Sequence, residues 1–442
     1  MKVLIGVTGG IAAYKVCELT STLAKAGVEV RVLMTRQAQS FVSALTFAAL
    51  SRNSVYTDDD FWSAQRGRPL HIELGEWADV FVIAPLSANT LGKLAHGLAD
   101  NLLTNTVLAS TCPVLLAPAM NTDMWQQSAV QRNWQQLLSS ADYIEANGTE
   151  TNGSETNGSE TSGSETNESE TNRAHRFHRV GPGAGRLACD RIGTGRMAEP
   201  IEIVTAVYSL LHSQGQRDLQ GKHLLISTGS TREFIDPVRF IGNPATGKMG
   251  IALAQAAIHR GASVTLVHGP LSAAVAATLP SRAQTIATTT AAEMESAMLA
   301  NFPESDWVIM AAAVADVRPS QMAVSKLPKK ELPNPLPLSF VADIVAQLSA
   351  QKSEHQLIVG FAAQTGDIIT PALEKLKRKQ LDAIVANPID QPDSGFGSAN
   401  NKAVILLAGT LAPDTPSIPV EQGSKLTLAH KLYDSLLVAK RS

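Results

Sequence analysis

Val3-Leu-Ile-Gly-Val-Thr-Gly-Gly10, running into Ile11-Ala-Ala-Tyr-Lys15, is the stretch that decides the fold of the first half. Val3 to Val7 is a short apolar run, Gly9-Gly10 makes a turn, and Ile11, Val16, Leu19 and Leu23 recur at helical spacing until Gly27 ends the helix. Val28 to Leu33 reads as the second strand, and Val80–Ala84 and Val114–Ala117 as buried strands that leave into Pro-containing loops. Alternation of this kind predicts a parallel sheet covered by helices. It restarts at Leu224–Ser227, with a helix over Lys248–His259 and strands at Val264–Val267, Val308–Ala311, Leu357–Phe361, Ala383–Ala386 and Val404–Leu407. The expected fold class is therefore α/β, with two doubly wound parallel-sheet domains at 1–200 and 222–442 and a linker at 201–221.

Composition agrees with two cores. The chain has 442 residues, 44% hydrophobic and 17% charged, which describes globular domains of ordinary size. A formal net charge of -3 excludes a general nucleic-acid binder, which needs clustered excess Lys and Arg to displace counterions from phosphates. The three cysteines, Cys17, Cys112 and Cys189, are odd in number and far apart, unlike a disulfide framework or a zinc site. No run approaches the roughly 20 apolar residues of a membrane span, and no export signal is evident. A cytoplasmic protein with no membrane partner is expected.

One segment stands apart. From Asn147 to Asn172 a pentad recurs, as in Asn152-Gly-Ser-Glu-Thr156 and Asn157-Gly-Ser-Glu-Thr161, with no apolar side chain to bury. It is expected as a disordered insertion within the first domain, since nothing offsets the entropy of ordering it. Doubling a loop's length costs only about 0.6 kcal/mol in closure entropy. Deletion of residues 148–171 is accordingly expected to preserve folding and turnover, and loss of either would refute the reading.

Glycines between a strand and a helix start leave backbone amides available to an anion, and open α/β sheets bind ligands beyond the carboxyl ends of their strands. The glycine pair alone fits a plain tight turn equally well. Three further elements narrow it: Pro85-Leu-Ser-Ala-Asn-Thr90; Pro118-Ala-Met-Asn121 with Met124-Trp125; and Gly181-Pro182 leading to Ala188-Cys189 and Gly193-Thr-Gly-Arg-Met197. With these the first 200 residues resemble the flavin-containing cysteine decarboxylases, specifically the phosphopantothenoylcysteine decarboxylase half of the bifunctional bacterial coenzyme A biosynthesis proteins. The resemblance implies FMN, held by Gly9, Gly10, Thr35, Ser87 and Asn89. It implies His71 as a base beside the flavin, Asn121 on the substrate carboxylate, and Cys189, on a mobile flap, as proton donor to an enethiolate. The chemistry accounts for the flavin: an N-acylated cysteine cannot hold the carbanion left by CO2, whereas oxidation of its CH2–SH to a thioaldehyde supplies an electron sink.

The second half carries Ser227-Thr-Gly-Ser-Thr-Arg-Glu233, Asp236-Pro-Val-Arg-Phe-Ile-Gly-Asn243 and Thr246-Gly-Lys-Met-Gly250. Their composition suits phosphate but lacks Walker spacing, and alone leaves kinase, dehydrogenase and sugar-nucleotide enzyme open. Ala311-Ala-Ala-Val-Ala-Asp316, Gly360-Phe-Ala-Ala-Gln-Thr365, and Lys375-Leu-Lys-Arg-Lys379 before Asp382-Ala-Ile-Val-Ala-Asn387 complete a second resemblance, to the phosphopantothenate-cysteine ligase half of the same family. It implies Rossmann-like domains, flavoprotein-type and then ligase-type, and activation of 4'-phosphopantothenate by CTP as an acyl-cytidylate that cysteine attacks. It also implies Mg2+ and a homo-oligomer. The nucleotide positions it implies are Met310, Ala311, Ala312, Asp316, Lys326, Ala342, Asp343, Ile344, Val345, Phe361, Lys375 and Lys379, with Asn243 and Lys326 as catalytic residues and no metal ligands identified. Pro244-Ala-Thr246, Pro328 and Gln364 depart from the common pattern. The rival readings are a non-catalytic flavoprotein-fold regulator, a flavin prenyltransferase and a peptide-cysteine decarboxylase. His71, Asn121 and Cys189 together weigh against the first, and the ligase-like half against the other two.

Overall fold

The computed structural model describes residues 1–64, 67–139, 176–186, 192–390, 395, 397–398, 400–409, 411 and 417–441. They form two compact units, Met1–Gln216 and Arg217–Ser442. The repeat tract at 147–172 and Cys189 lie outside the described residues.

In the first unit, strands β1 (Lys2–Val7), β2 (Glu29–Met34), β3 (Val55–Tyr56), β4 (Val80–Leu86), β5 (Val114–Pro118) and β6 (Phe177–Arg179) make one parallel sheet in the order 3-2-1-4-5-6. The hairpin β7 (Gly183–Arg186) and β8 (Ile192–Arg196) follows β6. The helices are α1 (Ala13–Lys25), α2 (Ala44–Ser51), α3 (Asp58–Phe61), α4 (Leu70–Trp77), α5 (Ala88–Ala95), α6 (Leu102–Ala109), α7 (Thr122–Gln126), α8 (Ser128–Ser139) and α9 (Pro200–Ser213). Strand alternation splits β1 between two cores. Val3, Ile5 and Val7 face α1 and α9, while Leu4 faces the residues of α4, α6 and α8. Gly27, at φ 81°, ends α1 in the left-handed region where a glycine costs least. The stretch expected as the linker, 201–221, contains the division between the two units. Within 201–221, α9 buries Ile203, Val207 and Leu210 in the first core, at about 1.5–3 kcal/mol per fully buried side chain, and the units divide between Gln216 and Arg217.

The second unit contains β9 (His223–Thr228), β10 (Arg232–Phe234), β11 (Phe240–Gly242), β12 (Ser263–His268), β13 (Gln284–Ala287), β14 (Trp307–Met310), β15 (Val317–Pro319), β16 (Leu338–Phe340), β17 (Leu357–Gln364), β18 (Ala383–Pro388), β19 (Asn400–Leu407) and β20 (Ser417–Ser424). Its helices are α10 (Lys248–His259), α11 (Ala273–Ala276), α12 (Ala291–Asn301), α13 (Ile344–Ala350), α14 (Thr370–Arg378) and α15 (Lys425–Arg441). The main sheet runs 13-12-9-14-17-18-19-20. Its first six strands are parallel and repeat the order of the first unit, and β19 and β20 pair antiparallel, so the expected parallel sheet is extended into a largely parallel mixed one. No helix lies between β18 and β20 among the described residues, and a parallel return needs a long crossover. Pro419 fits the outermost strand, where one unmade ladder bond faces solvent. One face packs α10 and α15, with the Tyr433 hydroxyl donating to Leu253 O at 2.9 Å; the other packs α12, α13 and α14.

Candidate active sites

In the first unit the chain order reverses between β1 and β4, and there the crevice at the carboxyl edge opens. Thr8 ties its walls together, donating to Pro85 O at 2.6 Å and accepting from Ser87 N at 3.0 Å. Thr35 N reaches Val7 O at 3.0 Å, which brings the next loop alongside: a Cβ on Gly9 would lie 2.5 Å from Gln37 Cβ. The backbone amides of Gly9, Gly10, Ile11 and Ala12 meet no acceptor among the described residues. They form the turn that enters α1, where the helix dipole also favours an anion. Ser87 caps α5 by accepting from Thr90 N at 3.2 Å, and Asn89 is exposed beside it. Gly9, Gly10, Thr35, Ser87 and Asn89 thus stand on three neighbouring loops of one edge.

Asn121 caps α7, its Oδ1 accepting from Asp123 N at 2.7 Å, which leaves the amide nitrogen as its donor side. The β7–β8 hairpin lies against this loop: Met120 N donates to Gly195 O at 2.9 Å, and any side chain on Gly193 or Gly195 would overlap Thr122 or Met120. Cys189 falls in sequence between those two strands, outside the described residues. Glu199 braces the base of the hairpin, meeting Lys15 of α1 at 2.9 Å and Arg196 of β8 at 2.8 Å. His71 sits in the first turn of α4, edge-on to Phe61 at 5.4 Å between ring centroids. Its buried Nδ1 has no hydrogen-bond partner among the described residues, and it makes no bond to the crevice loops.

The second unit holds a cavity of about 730 Å³ at the carboxyl edge of its sheet. Of the positions implied for the nucleotide, Met310, Ala311, Ala312, Asp316, Ala342, Asp343, Ile344, Val345, Phe361, Lys375 and Lys379 all line it, as does Asn243. Five separate segments converge there. Lys326 is the exception, exposed and absent from the lining. Its neighbour Leu327 is pinned to Asp236, whose Oδ2 accepts from Leu327 N at 3.2 Å.

Polar contacts fix the geometry of the cavity. Ser227 Oγ accepts from Ala312 N at 3.2 Å, and Asn243 Nδ2 donates to Ala313 O and Val314 O at 3.2 Å each, so the 311–314 loop is held from two sides. Lys379 pairs with Asp343 at 2.9 Å, and Asp343 caps α13 through Ala346 N at 3.1 Å. Burial alone would raise the Asp343 pKa; the bonds from Lys379 and Ala346 outweigh it and hold the carboxyl below its ordinary range. Lys375 donates to Phe361 O at 2.9 Å. Burial, then the charge on Lys379, keep its pKa below that of an ordinary lysine. No cluster of three or more metal-ligating side chains occurs among the described residues.

Sequence reasoning missed Lys248 and Lys425 in the lining, together with Asn387, Gly395, Gly397 and Asn401. Lys248 lay within a quoted motif but was read only as part of a phosphate loop. Lys425 follows a strand whose direction the sequence did not reveal.

Residues 1–212 match the Flavoprotein family and residues 219–439 the DNA/pantothenate metabolism flavoprotein C-terminal domain. The coenzyme A biosynthesis bifunctional protein CoaBC of Bacillus subtilis (strain 168) is 41% identical over 403 residues, covering 91% of this chain and 89% of its own. A cysteine/cysteine sulfinic acid decarboxylase from an unknown prokaryotic organism is 40% identical over 371 residues, covering 83% and 91%. Among solved structures, the FMN-dependent cysteine decarboxylase SpaF is 42% identical, covering 32% of this chain and 80% of its own at a TM-score of 0.30. No helix among the described residues is long and apolar enough to cross a membrane. Matched along nine-tenths of its length, with both family regions in order, the chain belongs to the bifunctional coenzyme A biosynthesis proteins, which pair a flavoprotein decarboxylase with a ligase.

Proposed function

We propose that the second unit condenses 4'-phosphopantothenate with cysteine at the expense of CTP, and that the first unit then decarboxylates phosphopantothenoylcysteine to 4'-phosphopantetheine with FMN. The observation that carries this is the cavity in which Asn243, Asp316, Phe361, Lys375 and Lys379 meet. In the ligase step the lysines offset triphosphate charge, the 310–312 backbone and the Ala342–Val345 turn position the nucleotide, and Asn243 aligns the activated carbonyl with the attacking amine. Mg2+ fits as an ion carried with the nucleotide, since it is commonly bound through phosphates and one or two carboxylates, and Asp316 lines the cavity. Lys326 joins the catalytic set on moving from its exposed position.

The amides of Gly9–Ala12 suit the FMN phosphate, with Thr35, Ser87 and Asn89 on the adjoining loops. Bound FMN supplies a two-electron acceptor for the substrate CH2–SH and returns the electrons within one turnover. The His71 imidazole takes the proton lost on that oxidation, the Asn121 amide donates to the substrate carboxylate, and Cys189 protonates the enethiolate. The working form is a homo-oligomer in the cytoplasm.

The test is a coupled assay for 4'-phosphopantetheine from phosphopantothenate, cysteine and CTP, using the yellow protein. Product is expected, with pyrophosphate release that requires both other substrates. Equal turnover with ATP would overturn the CTP assignment, and normal decarboxylation by Cys189→Ser would remove its donor role. The relative that acts on cysteine sets a second reading: CO2 from free cysteine without CTP would favour it over ours.

A further inference from the structure

The ligase cavity has a second cationic group that the nucleotide positions do not include. Lys425 is the first residue of α15 and only 8% exposed, and among the described residues its ammonium meets nothing stronger than Gly395 O at 3.5 Å and Asn400 O at 3.4 Å. Lys248, the first residue of α10, reaches Gly397 O at 3.0 Å on the same segment. Both line the cavity. Among the described residues no carboxylate accompanies them: burial first, and then the charge of Lys248, lower the pKa of Lys425. Lys379 differs, being neutralised by Asp343, and the groups acting on Lys375 are Lys379, Asp343, Asp316 and Arg378. The cavity therefore holds two distinct cationic groups, one paired with a carboxylate and one with no such partner among the described residues.

Of the two ammonium groups, that of Lys425 is nine-tenths buried and poorly solvated, and the exposed Lys248 adds a like charge beside it. A dianion removes both penalties, and a phosphate monoester carries about −1.5 to −2 at pH 7. The fold explains how the site arises. Because β19 and β20 each reverse direction, β20 ends at the same carboxyl edge as the parallel strands and delivers Lys425 there, while Gly247, at φ 85°, turns the chain so that α10 starts beside Thr228 and Gly229. Thr228 Oγ1 fixes that turn by donating to Gly247 O at 2.8 Å.

We propose that Lys248 and Lys425 form a phosphate-binding subsite of the ligase cavity, separate from the Lys375–Lys379 group. Naming its occupant rests on the function proposed above, and two sources share the chemistry: the triphosphate tail of CTP and the phosphate monoester of 4'-phosphopantothenate. In the full-length protein, Lys425→Gln and Lys248→Gln are expected to raise the KM for one phosphate-bearing substrate at least tenfold and leave the KM for cysteine unchanged. Lys425→Arg is expected to recover most of the loss. A change confined to CTP assigns the triphosphate, and one confined to phosphopantothenate assigns the monoester. An unchanged melting temperature of the ligase unit, followed by Trp307 fluorescence, reports that the second unit is folded in each variant, and unchanged decarboxylation of supplied phosphopantothenoylcysteine reports the same of the first. All KM values within twofold of wild type would overturn the proposal. So would an equal loss for all three substrates accompanied by a lower melting temperature of the ligase unit, because Lys425 would then only clip the 395–400 segment. Calorimetric titration with inorganic triphosphate separates this inference from the functional reading. Wild type is expected to bind it more tightly than Lys425→Gln whatever reaction the protein catalyses, and equal binding would refute the subsite even if the coupled assay succeeds.

Discussion

Lys379 and Lys375 stand one helical turn apart on the same segment, yet the structure gives them different electrostatic work. Lys379 is tied to Asp343 at the cap of α13, so Lys379→Gln both removes a positive charge and releases that carboxylate. Its expected effect is a rise of about tenfold in the KM for CTP, about 1.4 kcal/mol, with the KM for cysteine unmoved. Burial, and then the charge of Lys379, lower the pKa of Lys375, so that it loses its proton before an ordinary lysine does. Ligase affinity for CTP should therefore begin to fall at a pH below the usual lysine value of about 10.4. In Lys375→Arg that alkaline limb should disappear, and its persistence would assign the titration to another group. At this scale the sequence was most legible where short motifs lie on one strand and the loop after it, as at Ala311–Asp316. It was least legible where the decisive fact is a partner far along the chain. Nothing near Lys425 announces Lys248, and nothing near Lys326 announces that Asp236 holds its neighbour Leu327.

Elements explain which substitutions the sheet can bear. α10 packs so closely on β9 that a Cβ at Gly250 would overlap Thr228. Gly250→Ala is expected to destabilise the ligase unit by about 1–3 kcal/mol through overpacking. Denaturation can be followed by the fluorescence of Trp307, the one tryptophan beyond residue 216, and an unchanged midpoint would contradict the close packing. The β10–β11 turn is organised around the wholly buried Asp236. Its carboxylate accepts from Val238 N and Arg239 N at 2.8 Å each and from Arg239 Nη1 at 2.9 Å. Burial acts to raise the Asp236 pKa, but those amides, Leu327 N and Arg239 outweigh it and set the folded value below the ordinary one. The stability this contributes is complete above the unfolded pKa of about 3.9 and is lost as pH falls through the lower, folded value. Urea midpoints below about pH 4 should accordingly fall more steeply for wild type than for Asp236→Asn; parallel curves would exclude the assignment. Parallel strands were readable because burial on both faces demands continuous apolar runs, as in β1 and β4. β19 carries a similar run at Val404–Leu407, so apolar content alone could not reveal its reversed direction.

Across the whole molecule, the contact division at 216/217 makes separate expression informative. Residues 1–216 should fold as a yellow decarboxylase and residues 217–442 as a CTP-dependent ligase, each assayed alone. If 217–442 were insoluble while 1–442 was not, the units would not be independent. Two restarted strand-helix series made the count of units legible and confined their division to 201–221, but did not show how the helix in that stretch packs. α9 has the apolar spacing of any amphipathic helix, and only its packing shows that it completes the first core.

That asymmetry also sets an order of manufacture. Domains generally fold as units, the amino-terminal one first, while synthesis is still under way. The first unit has all its core residues by α9, well before the second is made. In the second, the final helix supplies Leu428, Leu432, Tyr433 and Leu436 to the same core as α10 and places Lys425 at the cavity. A ribosome stalled before those residues emerge would thus hold a chain able to bind flavin but unable to use nucleotide. The enzyme of the later chemical step would be the first to mature.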